Sequence, residues 1–193
     1  MHSHRPNPAV SLRFREALEA AGCQVVDGSD ILRELRWVKS PQEMAYIERA
    51  GEICDIGLAA ARDAIRPGTS ELEVYGEIIR AMAAAGGENP GITLPVLSGL
   101  RANSGHALAG RKLIEHGEQV NVDVCGVFNR YHSHAARPFS LGAPPHAVPE
   151  LSPQAQGAMH PTRRLLRPHP PVRELAKPLP AYSGAPGLRH THS

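Results

Sequence analysis

The residues best able to do chemistry are gathered in segment 120–142, VNVDVCGVFNRYHSHAARPFSLG. It reads as a β-hairpin with Asp123 on the first strand and His132, His134 and Arg137 on the second. Upstream, the loop sequence SGLRANSGHALAG carries His106. A carboxylate, several imidazoles and a guanidinium brought together suit acid–base catalysis or metal binding.

Each residue also has a plainer reading. His106 sits among Gly, Ser and Asn, in the kind of loop that frees a side chain to act on a ligand. An imidazole there titrates near neutral pH and can take a proton from water, or is simply a solvated loop histidine. Asp123 lies mid-strand, opposite three valines, where an acid faces solvent, pairs with arginine or ligates a metal. His132 and His134 share one strand face and are able to ligate a single ion together with Asp123. Arg137, beside Pro138, offers a bidentate anchor for a carboxylate or is an ordinary surface arginine. Gly99, Gly105 and Gly110 have neither of the usual phosphate-loop spacings.

These residues need elements to hold them. Residues 12–21 predict a short helix stopped at Gly22, 23–26 a short strand, and 27–30 a turn or cap. The clearest helix starts at Ser40, where Ser40-Pro41-Gln42-Glu43 is a capping box with proline at the first helical position. Ala45, Ile47, Ala50, Ile53, Cys54, Gly57, Leu58, Ala61 and Ile65 then recur at helical spacing until Pro67-Gly68 ends the helix. A second capping box, Ser70 to Glu73, starts a helix that breaks at Gly86-Gly87. Strands are expected at 92–97, 119–128 and 130–140, the middle one alternating strictly. Beyond Gly142 proline and arginine become frequent and no apolar period survives, so no packed structure is expected. The chain divides into a remnant and linker at 1–35, a folded unit at 36–142 and a Pro/Arg-rich tail at 143–193.

Composition sets outer limits. The 193 residues suit one domain of ordinary size, and a formal net charge of +2 gives no argument for nucleic acid or membrane. Cys23, Cys54 and Cys125 are widely spaced and read as small buried hydrophobes rather than a disulfide framework or zinc site. No secretory leader and no apolar run of about 20 residues is present, which suggests a cytoplasmic protein.

Several motifs in order resemble one superfamily. LRWVKSPQE at 35–43 is similar to the lead-in of the C-terminal domain of the "pita-bread" enzymes, which include methionine aminopeptidase, Xaa-Pro aminopeptidase, prolidase and creatinase. IRPGTSE at 65–71 resembles their first interhelix turn. Ser98-Gly99, then His106, then Arg111-Lys112-Leu113 resemble their first active-site histidine loop, and HGEQV at 116–120 the turn into the first metal-ligand strand. The resemblance covers about 36–142. It implies an α+β fold: two antiparallel helices on a curved antiparallel sheet, half of a pita-bread domain.

Residue by residue, the resemblance puts Asp123 at the first metal-ligand aspartate and His134 at the second, while the remaining histidine and two glutamates have no counterpart. It therefore implies a degenerate metal site and no metal cofactor. DVCGVFNRYH at 123–132 most resembles the creatinase and ectoine-hydrolase branch. That branch implies C–N bond hydrolysis of a small amidine or guanidine without metal, since an amidinium carbon is already electron-poor. His106 would be the base, with Asp123, His132, His134 and Arg137 serving substrate or structure. Two alternatives stand beside it. One is a non-catalytic remnant or binding module, the tail being the product of a shifted reading frame. The other is a Xaa-Pro dipeptidase or aminopeptidase with altered ligands for a divalent metal such as manganese or zinc. The expected partner is a small-molecule substrate, and family members are homodimers.

Overall fold

A computed structural model describes residues 8–104 and 107–143. His106 and the tail beyond 143 lie outside the described residues. Four helices come in chain order: α1 (Pro8–Ala20), α2 (Ser29–Trp37), α3 (Pro41–Ala64) and α4 (Glu71–Ala84). Strands β1 (Val96–Ser98), β2 (Gln119–Phe128) and β3 (Tyr131–Ser140) form one antiparallel sheet in the order β1-β2-β3. This is the α+β architecture expected.

Both capping boxes form. Ser40 Oγ accepts from the Glu43 amide at 3.3 Å, and Glu43 Oε2 accepts from the Ser40 amide at 2.6 Å. Ser70 and Glu73 repeat the exchange at 3.2 and 2.7 Å. Each box satisfies donors that a helix start leaves without an intrahelical partner. The helices then bury one face each: Ala50, Ile53, Cys54, Gly57 and Ala61 on α3, and Val74, Ile78 and Met82 on α4. Against them lie Val120, Val122 and Val124 of β2, none more than 1% exposed. The alternating pattern of β2 thus seats one face on the helices and leaves Asn121 and Asp123 on the other.

The hairpin register is fixed by its turn. Asn129 and Arg130 have φ of +47° and +63°, the pair of positive values a two-residue turn needs to match strand twist. Phe128 then pairs with Tyr131, Cys125 with His134 and Asp123 with Ala136. Gly126 is where α3 comes closest to the sheet. A Cβ there would run into the Ala50 carbonyl oxygen and lie 2.6 Å from the Cys54 nitrogen.

Some expectations change. No strand forms at 23–26, and α2 follows instead, with Ile31, Leu32 and Leu35 all exposed. The helix expected at 12–21 does form, as α1, but starts earlier, at Pro8; α2 buries no residue, so it had no core to declare itself by periodicity. The strand expected at 92–97 shrinks to Val96–Ser98. Pro95 lacks the N–H a ladder needs, although its carbonyl still accepts from the Asp123 amide at 3.0 Å. Cys54 and Cys125 are buried, but Cys23 is exposed.

Candidate active site

The sheet face turned away from α3 and α4 carries the chemistry. Asp123 and His134 are diagonal neighbours across β2 and β3, because the residue directly opposite Asp123 is Ala136. Diagonal pairs are within reach of each other when one side chain is long and the intervening residue is small. The imidazole Nε2–H of His134 donates to Asp123 Oδ1. The two side chains are 52% and 25% exposed, so a ligand has access to both. A hydrogen bond through Nε2–H sets the tautomer and leaves Nδ1 as the ring's acceptor.

A cavity of about 340 Å³ opens beside this pair. Asp123 lines it, with Pro95, Leu97, Ala136 and Pro138 supplying apolar wall and Ser104, Asn121 and Arg137 polar wall. That volume lies at the lower end of small-molecule sites, roughly 300–1,000 Å³. Arg137 pairs in register with Val122, on the helix-facing side of β3, yet its guanidinium Nη1 donates to the Ala136 carbonyl at 2.8 Å and the residue reaches the cavity. The structure therefore joins Asp123 to His134 by a hydrogen bond and to Arg137 only as another wall residue of the cavity, which His134 does not line.

His132 does not join them. Although it shares a strand face with His134, its Nε2 accepts from the Gly91 amide at 3.2 Å and its Nδ1 lies 2.9 Å from the Arg130 carbonyl. It lines a separate groove with Arg36, Lys39, Glu43 and Tyr131. Sharing a face was not enough, because the strand end lies against the 88–91 segment. His106 lies outside the described residues, between loop arms that are described.

One buried charge beside the site has no place in the sequence reading: Glu71, at the start of α4. It is 0% exposed. Its Oε1 accepts from the Ser98 amide and hydroxyl at 2.8 and 2.9 Å, and its Oε2 from the Gly110 amide at 2.9 Å. The sequence offered one signal. Glu71 falls on the same helical face as Val74, Ile78 and Met82, where a charge has to find partners.

Asp123 and His134 stand where the resemblance puts metal ligands, so their fit to an ion can be judged. Protein metal sites draw on three or four protein donors. Among the described residues, no group of three or more His, Cys, Asp or Glu side chains is placed to hold one. Asp123 and His134 supply two donor side chains, fewer than such a site needs. The described residues do not by themselves fit a metal centre. Cys125, one residue pair away, adds no thiolate. Burial first, then the Asp123 carboxylate, pushes its pKa up to about 11.

Comparison with known proteins gives this site a lineage. The family model described as Metallopeptidase family M24 matches residues 45–180. The Xaa-Pro dipeptidase of Pyrococcus furiosus is 32% identical over 131 residues, 68% of this chain and 37% of that protein. The probable dipeptidase PepE of Mycobacterium tuberculosis is 30% identical over 159 residues, 82% of this chain and 42% of that one. Among solved structures, the prolidase of Pyrococcus horikoshii OT3 superposes with a TM-score of 0.84 at 26% identity, over 96% of this chain and 52% of that chain. The chain thus spans about half or less of the length of these relatives. They are named as peptidases, which favours the peptidase alternative over the creatinase and ectoine-hydrolase branch. With more than half of its length matched by the family model, the chain belongs to metallopeptidase family M24.

Proposed function

We propose that this chain forms one wall of a hydrolase site for short peptides with proline in second position, of the Xaa-Pro dipeptidase or aminopeptidase kind. The supporting observation is the cavity on the open sheet face, with an apolar wall of Pro95, Leu97, Ala136 and Pro138 beside Asp123, which is bonded to His134. Relatives of this chain carry the name Xaa-Pro dipeptidase.

The chain's own groups divide the work as follows. His134 Nδ1 takes a proton from a water molecule while Asp123, bonded to Nε2–H, stabilises the imidazolium. The water oxygen adds to the amide carbon. When the C–N bond breaks, the imidazolium returns the proton to the departing proline nitrogen. Arg137 keeps N–H groups besides the one given to Ala136 and takes the free carboxylate of the dipeptide. A neutral amide carbonyl also needs its developing negative charge stabilised. The described residues place no dedicated donor set for that charge, so the chain on its own should turn over slowly.

The test is proline release from Ala-Pro, with and without added manganese, beside ammonia or urea release from ectoine and creatine. Slow proline release that disappears in Asp123→Ala is expected, together with saturable dipeptide binding that the same variant loses. Action on ectoine or creatine with none on the dipeptide would overturn this reading and restore the amidine branch.

A further inference from the structure

We propose that Glu71 is the positioning residue of this site, holding both ends of the 98–110 loop so that Ala102 and Ser104 stand as a wall of the cavity. The part of the argument that concerns peptide turnover rests on the function proposed above. The geometry stands without it.

The Glu71 carboxylate is fully buried and bonded on both sides of the loop. Oε1 holds Ser98 through its amide and its hydroxyl, where the loop leaves β1. Oε2 holds the Gly110 amide, where the loop returns. The backbone repeats the link, with the Leu72 amide donating to the Gly110 carbonyl at 3.1 Å and the Glu71 amide to Lys112 at 3.1 Å. Arg101 closes the loop from inside. Its Nε lies 3.3 Å from the Glu71 carboxylate, and its Nη2 donates to the Leu108 carbonyl at 2.7 Å. From there the loop reaches the site, since the Asn121 side-chain amide on β2 donates to the Ala102 carbonyl at 2.8 Å. Ala102, Ser104, Asn121 and Asp123 all line the cavity. Residues 105 and 106 fall, in sequence, between the two arms that Glu71 and Arg101 tie.

A buried carboxylate is costly unless its oxygens are satisfied, and a helix start offers it a favourable dipole. A hydrophobic residue at this position would complete the α4 face more simply. Placing a carboxylate here instead ties the two loop arms to one side chain, in addition to the backbone bonds that hold each of them.

Glu71→Gln separates charge from shape. Glutamine keeps a carbonyl oxygen for Ser98 but turns an NH₂ against the Gly110 N–H. In the full chain, residue-resolved amide exchange at Gly110 should speed up by about tenfold or more, with Ile53 in α3 unchanged. The KM for Ala-Pro should rise by about tenfold while kcat falls by less than about threefold, the split expected when a wall moves and the reacting groups do not. Arg101→Met leaves the Ser98 and Gly110 bonds in place and should shift exchange and KM in the same direction by a smaller factor. It decides the matter if Glu71→Gln does not fold. Unchanged Gly110 exchange, or a uniform rise that includes Ile53, would overturn the proposal, as would a fall in kcat with KM constant. A wild-type chain that leaves Ala-Pro intact refutes the functional reading only, and Gly110 exchange then decides on Glu71.

Discussion

Gly126→Ala is the sharpest test of how the helices seat the sheet. Gly126 lies on β2, three residues from Asp123, under the middle of α3. The added methyl would sit 2.6 Å from the Cys54 nitrogen and 3.1 Å from the Ala50 carbonyl carbon, and closer still to the Ala50 oxygen, where ordinary contact begins at 3.4 Å. These are backbone atoms in mid-helix, so no side-chain rotation relieves the clash. The helix must move off the sheet by close to an ångström. That gap opens along Ala50, Ile53, Cys54 and Ala61, none more than 2% exposed. A gap of 0.5–1 Å forfeits roughly a quarter to a half of each contact's dispersion energy. Overpacking usually costs about 1–3 kcal/mol, and with rigid backbone on the far side the upper end, about 3 kcal/mol, is expected. Urea unfolding followed by circular dichroism measures it. Gly76→Ala is the internal control: Gly76 is in α4 with nothing within 4 Å of an added Cβ, so alanine there should stabilise by about 0.5–1 kcal/mol. If Gly126→Ala unfolds at the wild-type urea concentration, the close approach of α3 to β2 is wrong, and so is the placement of Asp123 that depends on it.

Other outcomes follow from the caps and thiols. Ser40→Ala removes the acceptor for the Glu43 amide and should cost about 0.5–2 kcal/mol by the same urea assay. Hydrogen bonds hold two cap carboxyls below the usual carboxylate range, at Glu43 from the Ser40 amide and then the Tyr131 hydroxyl, and at Glu73 from the Ser70 hydroxyl and amide. A lowered folded-state pKa stabilises the fold above the ordinary Glu value of about 4.3, and that contribution is lost as pH falls through the lowered value. The urea midpoint should therefore drop between neutral pH and about pH 3, and drop less in a Ser40→Ala, Ser70→Ala double variant. Cys23 is exposed whereas burial raises the pKa of both Cys54 and Cys125, so one thiol, Cys23, should react quickly with a disulfide reagent near pH 8, as peptide mass spectrometry can show.

What was legible in the sequence was whatever repeats with a period or ends with a specific hydrogen bond. The two capping boxes named their helices to the residue, because Ser-x-x-Glu satisfies helix-start donors in one way. Strict alternation in β2 fixed which face Asp123 would take, since slipping one residue would bury it and expose three valines. The contact between Asp123 and His134 did not follow from that alternation; the resemblance set the two positions side by side as ligand positions. Contacts made by irregular backbone were not legible. His132 was drawn away by the amide of Gly91, a residue with no periodic signal. The partners that justify burying Glu71, Ser98 and Gly110, were not legible either, because they come from a loop whose path no pattern announces. Helix α2 was missed for the opposite reason. Its apolar residues are exposed, so they had no packed partner to set them apart from a solvated segment.

The period of two along β2 also separates stability from chemistry. Val122 and Val124 are 1% and 0% exposed under the helices, while Asp123 between them faces a cavity. Truncating either valine removes core volume and weakens the fold. Truncating Asp123 leaves the core face untouched, so Asp123→Ala should fold as the wild type does and lose only what the site does. The two faces are still joined through the backbone. The Cys54 thiol donates to the Val124 carbonyl at 3.3 Å, tying α3 to the strand one residue beyond Asp123. A change on α3 that shifts the strand can therefore alter the site without touching it. Effects of distant substitutions should add only where they do not share this strand. Gly126→Ala and Asp123→Ala share it, and their combination should depart from additivity if the strand carries the coupling.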